Sequence, residues 1–370
     1  MKNAVIICEF NPLHIGHKRL LDSARTAGAE NVICVMSGNA VQRGELACLD
    51  KYTRARHAVL AGADAVVELP AEYTLSAARQ FALGGVKIAN LVKDATLVFG
   101  SESGDIEKLE RLAFLLSSPE VNEKIKSALS EGIGYPAAVA KASGESLIEN
   151  SPNNTLGIEY IRAINDTGRK ISAYTIKRDN SPCDSAPCGY PTSSSLRAAL
   201  SNGESVNALM MPPFVLGDFE KHVPCDDQYY AVLRYSLLSE NRKNVYDDTE
   251  GLMNRLVDCA RKADNFRDFC SLAAAKRYTR ARVKRLALNA VIGNTNTHTE
   301  LTEKPVGFVN VLAMRKGKEN LLSNIAVPTA VSGRSRAPFA EVFELTRRID
   351  ALFSSVRYSY KELSVFVDTD

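Results

Sequence analysis

Two histidines stand three residues apart in Asn11-Pro12-Leu13-His14-Ile15-Gly16-His17, close to the start of the sequence. Imidazoles at that spacing share one face of a helical turn, and each ring can donate a hydrogen bond to a phosphate oxygen. Gly16, between them, leaves out a side chain where phosphate would approach. A helix beginning here adds free backbone N–H groups and the positive end of its dipole. Nucleotidyl transfer needs this combination, because its phosphate centre gains negative charge and catalysis is mainly positioning and electrostatic stabilisation. A partial positive charge on His14 and His17 would suit departing pyrophosphate. The alternative is two satisfied polar residues beside a turn. A zinc site is disfavoured, since no glutamate of the metallopeptidase kind lies between the histidines, and no metal ligand is assigned.

Three further groups could carry chemistry. In Thr192-Ser193-Ser194-Ser195-Leu196-Arg197, hydroxyls and helix-start N–H groups could hold a γ-phosphate, with Arg197 as charge partner; simple N-capping explains the same residues. Lys276, Arg277, Arg280, Arg282, Lys284 and Arg285 crowd a short stretch that includes Tyr278. On a helix, Arg277, Arg280 and Lys284 would share a face able to bind nucleic-acid phosphates in a salt-sensitive way, although a solvated basic face reads the same. Gln42-Arg43-Gly44-Glu45, with Lys51, Arg54 and Arg56, reads as a charged loop.

The elements that must position these residues follow from hydrophobic pattern. Ala4–Cys8, Asn31–Met36, Asp64–Leu69, Ala95–Phe99 and Lys170–Ile176 read as buried strands. Helices are expected over 18–27, 51–61, 74–92, 153–164 and from Ser193, with Gly84-Gly85 a weak point in the third. The alternation predicts a doubly wound α/β fold on a parallel five-stranded sheet, with ligands at the carboxyl ends of the strands. Residues 1–200 form the expected catalytic domain, with a helical insertion over about 105–165. Residues 201–370 are expected to be mainly helical, with a strand–turn–strand unit over 305–327 and a late helix over 341–353.

Bulk properties exclude several classes. The 370 residues are 45% hydrophobic and 24% charged, with a net charge of +3, which argues against disorder and leaves any polyanion binding to local clusters. No apolar run is long enough for a membrane span, and the short run at 4–8 breaks at Glu9 without a signal-peptide cleavage site. The eight cysteines lack a secreted spacing, so a reduced cytoplasmic setting is expected. Cys183 and Cys188 lack the second pair that a zinc site needs.

The histidine stretch resembles the T/H-x-G-H signature of the nucleotidylyltransferase superfamily, and Thr192–Arg197 is similar to that superfamily's Ser/Thr-rich helix start ending in Arg. Longer strings narrow this: Cys8-Glu9-Phe10-Asn11-Pro12-Leu13-His14, Met36-Ser37-Gly38-Asn39, Val67-Glu68-Leu69-Pro70, Phe99-Gly100-Ser101-Glu102 and Pro152-Asn153-Asn154-Thr155-Leu156-Gly157. They resemble the bacterial tRNA(Met) cytidine acetate ligases, well over residues 1–200 and loosely beyond. Leu13-His14-Ile15 and Cys8-Glu9-Phe10 depart from the family's usual Phe-His-Asn and Thr/Val-Glu-Tyr, but keep the phosphate-facing His and Gly.

The resemblance implies ATP-dependent activation of acetate to acetyl-adenylate, then acetyl transfer to N4 of the wobble cytidine of elongator tRNA(Met). It implies an ATP site built from Ile7, Cys8, Glu9, Phe10, Asn11, Pro12, Leu13, His14, Ile15, Gly16, His17, Lys18, Arg19 and Leu20. Gly100, Asn153 or Asn154, and Arg178 would complete it. For the two asparagines a helix cap is the competing explanation, and Arg178 could be a surface residue. Ser37 to Arg43 would help form the acetate or cytidine side, the basic cluster would bind tRNA, and Mg2+ would accompany ATP without an assigned protein ligand, Asp64 and Glu68 being candidates by position alone. A small-molecule adenylyltransferase would share the histidines but not need the long C-terminal half. A non-catalytic nucleotide- or RNA-binding module would not need both motifs.

Overall fold

A computed structural model of the protein describes residues 1–148, 151–168, 170–178, 192–206, 209–221, 225–239, 244–249, 251–295, 300, 302–331, 344–357 and 365–369. Cys183 and Cys188 lie outside these. The strands are β1 (Asn3–Cys8), β2 (Asn31–Ser37), β3 (Ala40–Val41), β4 (Glu45–Leu46), β5 (Ala65–Leu69), β6 (Ala95–Ser101), β7 (Ser172–Lys177), β8 (Val309–Arg315), β9 (Thr329–Val331) and β10 (Phe366–Val367). The helices are α1 (Ile15–Thr26), α2 (Lys51–Leu60), α3 (Ala71–Thr74), α4 (Ala78–Ala89), α5 (Ile106–Leu115), α6 (Pro119–Ser130), α7 (Tyr135–Ser143), α8 (Pro152–Asp166), α9 (Ser193–Ser201), α10 (Pro213–Phe219), α11 (Asp226–Leu238), α12 (Leu252–Lys262), α13 (Phe266–Ala273), α14 (Arg280–Ile292) and α15 (Glu344–Arg357).

The five expected strands pair in parallel in the order β5-β2-β1-β6-β7. Their β-branched runs suit strands covered on both faces. One face packs on α4 to α8 and the other on α1, α2, α9 and α10, so the sheet is doubly wound. The order turns back between β1 and β6, and the crevice at that switch point is where such folds bind ligands.

The sheet does not stop at five strands. β8 joins β5 antiparallel, and β9 and β10 both pair with β8. The expected division at residue 200 therefore cuts through one sheet. The expected strand–turn–strand unit is also revised. Its second apolar run, Asn324 to Val327, is not a strand; a 3₁₀ turn over Glu319–Asn324 precedes β9. The helix expected over 74–92 breaks at Leu75–Ala77 rather than at its glycines. A Cβ on Gly84 would stand 2.1 Å from Tyr73, and one on Gly85 2.3 Å from Ile7. The glycines thus permit close packing of α4 rather than weakening it.

Helices α11 to α14 and α15 form a separate apolar cluster that also touches Ala40, Ala71 and Leu75. Charges fix this unit to the sheet. The buried Lys51 ammonium lies 2.8 Å from both Glu68 and Asp350 of α15. Asn39 donates to Asp350 at 2.9 Å, and Asn310 to Glu68 at 2.6 Å. Burial alone would pull the Lys51 pKa down, but the two carboxylates outweigh it and hold it above the ordinary lysine value.

Candidate functional site

Beyond the carboxyl ends of β1 and β6 lies a cleft of about 800 Å³, roomy enough for a nucleotide and part of a second substrate. Its floor begins where β1 ends. Phe10 takes φ +46°, a left-handed backbone uncommon for a bulky residue, and is 1% exposed. The loop is braced from several sides. Cys48 N donates to Asn11 Oδ1 at 2.7 Å, Arg197 donates to the Asn11 carbonyl at 2.6 Å, and Ser193 Oγ donates to the Pro12 carbonyl at 3.0 Å.

His14 is the N-cap of α1. Its Nδ1 accepts from Gly16 N at 3.1 Å, while His17 Nδ1 accepts from His14 N at 3.3 Å. The rings stack with centroids 3.8 Å apart, and Phe10 closes edge-on against His17 at 5.0 Å. With both Nδ1 atoms accepting, a neutral ring carries its proton on Nε2. Burial, aided by the Arg178 charge, lowers the His14 pKa to about 3. Burial and the neighbouring His14 push His17 well below the ordinary value. Without a bound anion, burial thus favours the neutral rings over the expected partial positive charge, and a neutral ring offers an N–H dipole. Gly16 is also reassigned. A Cβ there would stand 3.0 Å from the His14 ring, so the glycine makes room for that imidazole.

Of the residues expected at the nucleotide, Ile7, Cys8, Glu9, Phe10, Asn11, His14, His17, Leu20, Gly100, Asn153, Arg178, Ser193, Ser194 and Arg197 line the cleft. The others do not. Leu13 is buried in the core, Lys18 pairs with Asp22 at 2.8 Å, and Arg19 is exposed. Pro12 and Ile15 serve the loop and helix start. Ser195 completes a capping box with Thr192.

The two asparagines separate. Asn153 Oδ1 accepts from Arg178 at 3.3 Å and its Nδ2 donates to Glu102 at 2.7 Å. Asn154 is buried, donating to the Leu147 carbonyl at 2.7 Å and accepting from Ser103 N at 3.1 Å. Glu102 takes backbone N–H groups from both residues and so caps α8. Beside them, a Cβ on Gly100 would stand 3.2 Å from the Arg178 side chain.

Arg197 is not a free phosphate ligand. Besides Asn11 it reaches Glu45 at 3.1 Å, and Lys284 holds the other Glu45 oxygen at 2.5 Å. Arg285, 8% exposed, donates to the Gln42 carbonyl at 3.3 Å. Lys284 and Arg285 therefore bind the β3–β4 hairpin instead of facing outward. Lys276 and Arg277 precede α14, so the expected single helical stripe is not formed. Lys276, Arg277 and Arg280 are exposed, and Arg282 lies 5.5 Å over the Tyr278 ring.

Sequence reasoning missed two features. One is an apolar wall of Phe81, Phe99, Leu156 and Tyr160. The other is Arg54, fully buried, which donates to the carbonyls of Leu49 at 3.0 Å and Ser37 at 3.2 Å and also to those of Glu9 and Gly38. It ties the ends of β1 and β2 together. Within a charged string it carried no signal of burial.

Asp64 and Glu68 are not at the site. Asp64 lies at the opposite end of β5, bound to Arg25 and to Val32 N, and Glu68 belongs to the Lys51 network. Among the described residues, no group of three or more His, Cys, Asp or Glu is placed to hold a metal ion.

The sequence matches the model of the HIGH nucleotidyl transferases over residues 1–363. It is 33% identical over 329 residues to proteins named tRNA(Met) cytidine acetate ligase from Staphylococcus aureus strains JH9 and NCTC 8325, covering 87% of this chain and 86% of theirs. The chain belongs to the tRNA(Met) cytidine acetate ligase family. The Thermotoga maritima TmcAL apo structure superposes with a TM-score of 0.86 at 26% identity, and its complex with α-thio ATP with 0.84 at 27%; both cover 100% of either chain. Among the described residues, no helix is long and apolar enough to cross a membrane.

Proposed function

We propose that this protein couples ATP to the acetylation of a tRNA cytidine, in two steps within the one cleft. An acetate oxygen attacks the α-phosphorus of ATP, pyrophosphate leaves, and acetyl-adenylate forms. The cytidine N4 amine then attacks the acetyl carbon, AMP leaves, and N4-acetylcytidine results. The wobble position of elongator tRNA(Met) is the acceptor that family membership supports.

One observation carries the first step. The Nε2–H groups of His14 and His17 stand at the N-terminus of α1, in the crevice where the strand order reverses. As neutral donors they stabilise charge on the phosphate oxygens in the transition state without losing a proton. Gly100, Asn153 and Arg178 hold the nucleoside side. Arg197 and Ser193 keep the Asn11-Pro12 turn in place, and Arg43 and Gln42 border the acetyl and cytidine side. Mg2+ bound with ATP would neutralise charge on the phosphate oxygens. Acetate-dependent exchange of pyrophosphate into ATP tests this step; exchange with equal rate in the absence of acetate would contradict it.

The tRNA side rests on Lys276, Arg277 and Arg280, with Arg282 beside them. Reversing the first three to Glu is expected to raise the KM for tRNA at least tenfold. The slope of log affinity against log salt should also fall by about 2–3, as for three lost phosphate contacts. Unaltered tRNA affinity and salt slope would remove the patch from the interface. Helices α11 to α15, which carry or adjoin this patch, are proposed as the tRNA-facing unit in place of the whole of 201–370.

A further inference from the structure

We propose that Glu9 is the catalytic base of the second step, receiving the proton of the cytidine amine as it attacks acetyl-adenylate. This rests on the function proposed above. The chemistry calls for such a group. The lone pair of an exocyclic cytosine amine is delocalised into the ring, so the nitrogen must shed a proton as it becomes an amide. The lone pair forms the C–N bond to the acetyl carbon, the carbonyl electrons move to oxygen and return, and the C–O bond to AMP breaks. The N4 proton passes to the carboxylate.

The cleft contains few groups able to take that proton. His14 and His17 have their Nδ1 lone pairs engaged by Gly16 N and His14 N. Glu45 is neutralised by Lys284 and Arg197, one on each oxygen. Burial keeps the Cys8 thiol and the Tyr160 phenol protonated by raising both pKa values. Glu9 remains. It follows β1 at the cleft floor, and its Oε1 accepts from Gln42 N at 2.6 Å. No described residue hydrogen-bonds Oε2. One oxygen thus anchors the side chain and the other is open to a ligand. A carboxylate is also the natural acceptor for a cytosine N4–H.

The surroundings of Glu9 set its titration. Arg54 on α2, Arg43 on the hairpin and Arg197 on α9 face it, with Tyr160 on α8 and Cys8 next to it in sequence. Burial raises its pKa, and the Gln42 hydrogen bond and the three arginines only partly offset this. A carboxylate with a raised pKa is a stronger base in its ionised form. As the base must be deprotonated, transfer should weaken as pH falls through a value above the ordinary glutamate range.

Glu9→Gln tests the proposal, since glutamine keeps an acceptor for Gln42 N but cannot take a proton. Single-turnover acetyl transfer to tRNA should fall at least 10²-fold more than acetate-dependent pyrophosphate exchange. Acetyl-adenylate should then accumulate on the enzyme, and the acid limb of the transfer rate should disappear. Equal loss in both reactions would place Glu9 in nucleotide binding and overturn the proposal. Full transfer by the variant, or an unaltered acid limb, would overturn it as well. Wild-type enzyme that makes no N4-acetylcytidine would instead count against the function on which the proposal rests.

Discussion

His17→Ala is expected to lower acetate-dependent pyrophosphate exchange by about 10²- to 10³-fold, as for loss of one preorganised donor to a charge-developing oxygen. The loss should lie mainly in kcat, because the Nε2–H bond tightens only as charge builds up. His14→Asn should behave similarly in rate. Asparagine preserves an N-cap for α1 but not the reach of the imidazole, so it separates catalysis from helix stability. The pH profile gives a second check. With the His14 pKa lowered to about 3 and that of His17 also far down, both stay neutral from pH 6 to pH 8. Exchange should therefore show no histidine titration there. A rate that falls through pH 6.5 as a histidine loses its proton would mean the rings act as cations.

Arg54→Ala should be the most damaging substitution for stability. It leaves the carbonyls of Glu9, Ser37, Gly38 and Leu49 without their buried charged donor. The expected cost is on the order of 3–5 kcal/mol, since each orphaned buried acceptor costs about 1–3 kcal/mol before relaxation. Lysine should not rescue it, because one ammonium cannot serve carbonyls spread around a planar guanidinium. Urea unfolding with exchange activity as the second readout checks this. An Arg54→Lys protein with the wild-type midpoint would show that the fork is not needed.

The parallel half of the fold was legible because its pattern is local. Each β-branched run ends in a turn and is followed by a helix, so β1, β2, β5, β6 and β7 could be placed in order. Pairing of β8 with β5 was not, because antiparallel addition from residues more than 200 positions later leaves no local mark. In the site, the spacing of His14 and His17 marked them out, and both line the cleft at the start of α1. Their burial, which favours the neutral rings, is not legible there because it is set by Phe10 and the loop around it. Lys284 and Arg285 were read as surface charge for a similar reason. Gly44, at φ +76°, lets the hairpin meet α14 so closely that a Cβ would stand 2.2 Å from Arg285 N. That contact turns two cations of a basic string onto the β3–β4 hairpin. No property of the string itself distinguishes them from Lys276 and Arg280.

The central claim is a single catalytic sequence from ATP and acetate to acetylated tRNA. Incubation of the protein with ATP, isotopically labelled acetate and bulk tRNA, followed by nucleoside analysis, tests it most directly. The account predicts labelled N4-acetylcytidine, formed only when ATP and acetate are both present and confined to tRNA(Met). Acetate-dependent pyrophosphate exchange without any labelled N4-acetylcytidine would contradict it.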